Sequence, residues 1–178
     1  KFKLRGFIYA GIVAMMSIPM YVTLIPIFKM TTNMGLYDSL QALVGPYVTF
    51  ALPMSVFILT AFMTTIPKEI EESAEIDGCN KFRNFFAIIL PLSKSGLSTL
   101  AIYNGVSMWN EFAFANTLLQ TASNKTLPLA LGQFKGEHSL DIPIILSVLV
   151  LSVLPMIILF ITFQDKLVKG MMAGAVKG

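Results

Sequence analysis

Few residues in this chain could carry covalent chemistry, and their placement limits what they can do. The 178 residues include one histidine, His138, and one cysteine, Cys79. A nucleophile needs a base within hydrogen-bond reach, and zinc needs three or four ligands. A single histidine and a single cysteine supply neither, so no catalytic residue, metal or cofactor is expected. No Gly-x-x-x-x-Gly-Lys-Ser/Thr run is present to cradle phosphates. The ending Gly174-Ala175-Val176-Lys177-Gly178 is glycine-rich but has the wrong spacing. Two polar sets remain. Glu69, Glu71, Glu72, Glu75 and Asp77 form an acidic cluster. Asn104, Ser107 and Glu111 fall at i, i+3 and i+7 on one helix face, with Trp109 and Asn110 beside it. Amides and carboxylates bind hydroxyl groups, and an indole stacks on apolar ring faces. The same set could equally be a clamp between helices, with Trp109 in an interfacial aromatic belt.

The elements that hold these residues are membrane helices. Hydrophobic residues make up 55% of the chain and charged residues 13%, and the mean hydropathy is +0.73. A soluble domain carries about a quarter charged residues. Disorder is excluded by the same composition, and a disulfide scaffold by the single cysteine. The fold class expected is all-α, a polytopic membrane protein. Four apolar stretches are long enough to span, at about 6–28, 42–66, 95–118 and 142–164. Ten basic residues then fall on one side: Lys1, Lys3, Arg5, Lys68, Lys81, Arg83, Lys94, Lys166, Lys169 and Lys177. Only Lys29, Lys125 and Lys135 fall on the other. Basic residues concentrate in cytoplasmic loops, so both termini, the 67–94 loop and the 165–178 tail are expected inside. The start reads as a cytoplasmic loop entering a membrane helix. On the outside, Asp38 with Gln41 three residues on is expected to cap a helix.

The inner loop carries more structure than a connector needs. Pro67 suits a helix start, and the acidic residues after it suit that helix's positive end. Gly78 suits a left-handed C-terminal cap. Phe82, Phe85, Phe86 and Ile89 then make one apolar face of a second helix, which Leu90-Pro91 is expected to stop. That face is expected either to dock on a partner or to brace the loop against the membrane helices, with bracing slightly favoured. Anionic lipid repels so acidic a segment, so a partner with basic groups fits better than a membrane surface.

At this point the loop resembles the cytoplasmic loop motif of binding-protein-dependent ABC importer permeases. That motif is Glu-Ala-Ala, three residues, Gly, nine residues, Ile-x-Leu-Pro. Here it stands as Glu72-Ser73-Ala74, Gly78 and Ile88-Ile89-Leu90-Pro91, with Ser73 the one departure. Ile18-Pro19, Ile25-Pro26, Gly35-Leu36, Trp109-Asn110-Glu111-Phe112 and the C-terminal tail are similar to the carbohydrate-uptake branch. The resemblance implies a type I ABC importer transmembrane domain with four of an expected six spans. It implies a single permease domain over 1–178, multi-pass in a bacterial cytoplasmic membrane.

It also implies the partners: a second permease subunit, a cytoplasmic ATPase dimer, an extracellular sugar-binding protein, and a carbohydrate substrate of two or more units. ATP hydrolysis would belong to the ATPase, contacted through Glu72, Ser73, Ala74, Asp77, Gly78 and Phe82. Asn104, Ser107, Trp109, Asn110 and Glu111 are the substrate-path candidates. Residues 125–141 form the longest outward loop, and Gly132, Gln133 and His138 are its candidates for contact with the binding protein. The alternative is half of an ion-coupled secondary transporter with Glu111 as its proton site, which leaves the acidic hairpin without a role. A membrane scaffold explains neither set.

Overall fold

The computed structural model describes residues 3–132 and 142–175, and every regular element among them is helical. The first apolar stretch is not one helix. α1 (Arg5–Ala14) runs into a 3-10 turn over Met15–Ser17. Ile18 and Pro19 are extended, with ψ of 116° and 124°. A second 3-10 turn (Met20–Thr23) then leads into α2 (Leu24–Asn33). The two halves meet at 89°. Proline disfavours helical backbone in the residue before it, so Ile18-Pro19 breaks the element that hydropathy reads as continuous. Pro26 causes no second break because it sits in the first turn of α2, where its missing N–H has no helical partner.

α3 (Gln41–Met63) has 23 residues, about 34 Å at 1.5 Å each, and crosses the hydrocarbon layer unaided. It begins at Gln41, and Asp38 does not cap it. Asp38 adopts a left-handed backbone, φ +56°, and its carboxylate points elsewhere. α4 (Lys68–Ile76) follows Pro67. It ends as expected: Gly78 has φ +78°, Cys79 N–H donates to Ala74 O and Gly78 N–H to Glu75 O. α5 (Lys81–Asn84) is capped by the Asn80 side chain, which accepts from Arg83 N–H at 2.8 Å.

Pro91 does not stop this second helix. A π-helical turn over Phe85–Ile89 intervenes, with Leu90 N–H bonded to Phe85 O, and α6 (Leu90–Leu92) carries the chain past the proline. The wider turn accommodates the ring and the missing donor. The break falls instead at the fully buried Ser93, whose Oγ donates to Ile89 O, and the axis turns by 67°.

α7 (Lys94–Trp109) follows with 16 residues. The third expected span is then interrupted at Asn110, Glu111 and Phe112, before α8 (Ala113–Leu118). After α9 (Leu127–Leu131), α10 (Ile142–Ala175) continues as helix beyond the expected span end at 164. Among the described residues, two helices, over Gln41–Met63 and Ile145–Phe163, are long and apolar enough to cross a membrane, and up to four spans result if each bent pair counts as one.

α3 lies centrally, against α1, α7, α8 and α10, and α10 runs along α7. A β-carbon on Gly96 would fall 2.9 Å from Phe62 Cγ, so glycine is what lets α7 approach the end of α3. The tightest packing joins the start of α3 to α8 and α9. There Ala42, Leu43, Phe114, Ala115, Leu118, Leu119 and Leu129 are buried, with Tyr47 and Phe50 packed against them. Outside this cluster much apolar surface is exposed, including Leu146, Val150, Ile158 and Ile161 of α10. Lipid and neighbouring subunits cover such a surface in a membrane protein.

Candidate functional site

Four of the five polar residues of the third stretch come together at one cavity. Asn104, Ser107, Asn110 and Glu111 line a space of about 450 Å³ with Met20, Tyr21, Tyr47, Phe50, Met54 and Tyr103. Trp109 is half-buried and is not among the lining residues. A second space of about 610 Å³ adjoins the first, sharing Met20, Phe50, Met54 and Tyr103, and reaches Pro19 and Pro53. Asn104 and Ser107 face the cavity from α7. Asn110 and Glu111 reach it from the break after that helix.

Glu111 is the most constrained of the set. Its exposure is 8%. Oε1 accepts from Phe114 N–H at 2.8 Å, and Oε2 from Ala115 N–H at 3.1 Å and the Tyr47 hydroxyl at 2.9 Å. The carboxylate satisfies two of the unpaired donors at the start of α8 and ties that helix to α3. Glu111 thus combines both sequence readings, since it clamps helices and borders the cavity. Asn104 also links helices, its Nδ2 donating to Ser55 Oγ at 2.9 Å. Asn110 Nδ2 donates back to Val106 O. Sequence reading missed Tyr47 and Ser55. Both lie in the uniformly apolar α3, where a lone hydroxyl at no fixed spacing gives no signal.

On the 67–94 hairpin, Glu72, Ser73, Asp77 and Gly78 are exposed, and Ala74 is buried at 3% exposure. The small residue packs inside the hairpin while the acidic residues face out. Ser73, in place of the usual alanine, returns its hydroxyl to Ile70 O and leaves no orphan. The phenylalanine face does not brace the loop against the described residues. Phe82 is 78% and Phe86 62% exposed, and Ile76 beside them is 86% exposed. The 67° turn at Ser93 separates this helix from α7, and helical periodicity alone does not tell which neighbour an apolar face meets.

At the other end, Asp38 fastens two connections that sequence reading left separate. Its carboxylate accepts from Gln120 N–H at 2.7 Å, Thr121 N–H at 2.9 Å and the Thr121 hydroxyl. Its N–H donates to Leu118 O, and its own carbonyl accepts from Asn124. The Thr121 hydroxyl, followed by the Gln120 and Thr121 amides, lowers the Asp38 pKa to about 2. Gly132 closes α9, where a β-carbon would stand 4.0 Å from the Phe112 ring. Gln133 and His138 lie outside the described residues.

The family described as the binding-protein-dependent transport system inner membrane component matches residues 1–173. A protein of Caldicellulosiruptor sp. (strain Rt8B.4), provisionally named as an ABC transporter permease protein, is 53% identical over the whole chain, which covers 65% of that protein. The sulfoquinovosyl glycerol transport system permease protein of Agrobacterium fabrum is 33% identical over 99% of the chain and 62% of its own length. The melibiose/raffinose/stachyose import permease protein of Bacillus subtilis is 32% identical over 99% of the chain and 64% of its own length. The chain therefore spans somewhat less than two thirds of each of these relatives. With a family match over nearly its full length, and with apolar helices able to cross a bilayer, this chain belongs to the family of binding-protein-dependent transport system inner membrane components.

Proposed function

We propose that the chain is part of the translocation subunit of an ATP-driven, binding-protein-dependent carbohydrate importer, for a substrate of two or more sugar units. It works beside a second permease subunit. A cytoplasmic ATPase dimer docks on the 67–94 hairpin, and an extracellular sugar-binding protein meets the 125–141 loop. The observation that carries the reading is the hairpin. A rigid turn built by Gly78 presents Glu72 and Asp77 together with Ile76 and Phe82, acidic and apolar groups that no described residue of this chain covers. An interface core of exposed aliphatic and aromatic side chains rimmed by carboxylates fits a partner cleft with basic walls. Conformational change in the ATPase would then pass through α5, α6 and the Ser93 turn into α7, which carries Asn104 and Ser107. Those residues, with Asn110 and the aromatic rings opposite, offer hydroxyl-binding and stacking groups for a sugar. A proton-carrying role for Glu111 is disfavoured, because both of its oxygens are engaged by fixed donors in the chain.

Glu72→Lys tests the docking. It reverses one charge on an exposed helix and leaves the buried Ala74 in place. ATPase co-purification with the permease pair is expected to fall at least tenfold while membrane insertion of this subunit persists. Unchanged co-purification and unchanged uptake would defeat the docking assignment. Uptake that survives collapse of the proton gradient separates an ATP-driven importer from an ion-coupled carrier.

A further inference from the structure

The charge of the cavity limits which sugars it can pass. We infer that it admits uncharged saccharides and discriminates against acidic ones, uronates and sulfonates, with Glu111 as the specificity-determining residue. This rests on the carbohydrate-translocation reading of the same cavity. The first observation is the lining: among the described residues, no lysine, arginine or histidine borders this space or the one adjoining it. The second is the state of Glu111. Every one of its three partners donates a proton to it, two backbone amides and a phenol, and none carries positive charge. The carboxylate is fixed at the wall by these three donors, shielded from water at 8% exposure.

An uncharged, polyhydroxylated molecule meets what it needs there. Asn104, Ser107 and Asn110 offer donors and acceptors, and Tyr21, Phe50 and Tyr103 offer flat apolar surface. An acidic sugar loses its hydration, finds no cation among the described residues and faces the Glu111 carboxylate. At a separation of about 6 Å and an effective dielectric of about 20, repulsion between unit charges corresponds to roughly a hundredfold in affinity. The three donors on Glu111 reduce this, so a preference of about tenfold or more for the neutral sugar is expected.

The test uses the complete importer, both full-length permeases with their ATPase, in lipid nanodiscs without the binding protein, so that the permease alone chooses. Two photoreactive probes are compared, a diazirine-bearing β-glucoside and the β-glucuronide with the same linker. Labelling of the 101–115 peptide of this subunit is counted by mass spectrometry, with unlabelled probe as competitor. The expected result is competable glucoside labelling at least tenfold above glucuronide. Glu111→Gln should raise the glucuronide-to-glucoside ratio by tenfold or more. Where that variant does not assemble, Ser107→Lys, which adds a cation at the exposed wall, should raise the same ratio. Equal labelling by both probes in the unmodified importer, or a ratio that no assembled variant moves, overturns the inference and leaves the carbohydrate reading intact. Absence of competable labelling by either probe overturns the carbohydrate reading itself, and the inference with it.

Discussion

Tyr47→Phe isolates the hydrogen bond that joins α3 to the break after α7. The substitution removes one oxygen, whose proton lies on a 2.9 Å bond to Glu111 Oε2, and leaves the ring to pack as before. Hydrogen bonds to charged groups contribute roughly 1.5–3 kcal/mol in soluble proteins. Interhelical bonds inside membranes average ~0.6 kcal/mol and reach ~1.7. The carboxylate keeps its two backbone donors, at 2.8 and 3.1 Å, so the change strands no buried group. The membrane scale therefore governs, and about 1 kcal/mol is expected. Glu111→Ala is the informative contrast. It orphans the phenol and the two amides together, and Phe114 and Ala115 are 0% exposed. Each stranded donor costs about 1–3 kcal/mol, so about 3 kcal/mol or more is expected for the three.

The assay is recovery of the solubilised importer complex by size exclusion after a temperature ramp, for each variant and for the double variant. Tyr47→Phe should lower the half-recovery temperature slightly and Glu111→Ala strongly, with Glu111→Gln between them. The double variant should be no worse than Glu111→Ala, because removing the phenol also removes one orphan. A Tyr47→Phe loss equal to that of Glu111→Ala, or additive losses in the double variant, would refute the shared-carboxylate account.

Asn104→Ala removes the bond to Ser55, worth ~0.6 kcal/mol on average, so complex yield should fall by no more than about threefold while uptake per complex falls further. Normal uptake per complex would assign Asn104 to packing alone. Gly78 has φ +78° with open space around it, so the cost of a side chain there comes from the backbone. Gly78→Ala should cost about 1 kcal/mol and weaken ATPase co-purification, and Gly78→Asn should do less harm because asparagine tolerates that conformation. The Asp38 pKa is lowered to about 2, so its contribution to stability is present above the ordinary carboxylate range and is lost as pH falls through about 2. Hydrogen-exchange protection of the Gln120 and Thr121 amides should therefore be flat from pH 8 to 5, and Asp38→Asn should reduce it at every pH; a change in protection between pH 8 and 5 would contradict the assignment.

What the sequence made legible is what local rules decide. The acidic helix, its Gly78 cap and the start of the helix after it follow from residue types within about ten positions of each other, and each forms where expected. The polar face of α7 was readable for the same reason, since Asn104 and Ser107 lie on one unbroken helix. The direction changes were not readable, because hydropathy records how apolar a segment is and not where it points. Residues 6–28 score as one apolar run although Ile18 and Pro19 are extended between two helices. Pro91 looked like a stop because the π-helical turn that accommodates it has no sequence signature. Asp38 was misassigned for a different reason. Its spacing to Gln41 fits a cap, but its true partners are more than eighty residues away, and those contacts win because they satisfy both carboxylate oxygens.

Several of the irregularities also share a location. In a bilayer, non-helical backbone is tolerated only where protein buries it or where it lines a cavity. Among the features that break or weaken a helical ladder within the apolar stretches, Pro46 in α3 and Pro155 in α10 lie apart, and three others fall together: the Ile18-Pro19 bend, Pro53 inside α3, and the interruption at Asn110, Glu111 and Phe112. All three border the same pair of adjoining spaces. Pro19, Pro53 and Thr49, whose carbonyl Pro53 leaves without its usual donor, line the larger. Asn110 and Glu111 line the smaller. At the third break the chain supplies its own substitute, since Glu111 takes up the amides that the interruption exposes. The cavity and the broken helices are therefore one requirement. A path for polar molecules needs polar groups at membrane depth, and interrupted helices provide them from the backbone as well as from side chains. The residues that make the interruptions are accordingly where substitutions should alter transport, whereas changes on the continuous outer face of α10 should alter only lipid contact or assembly.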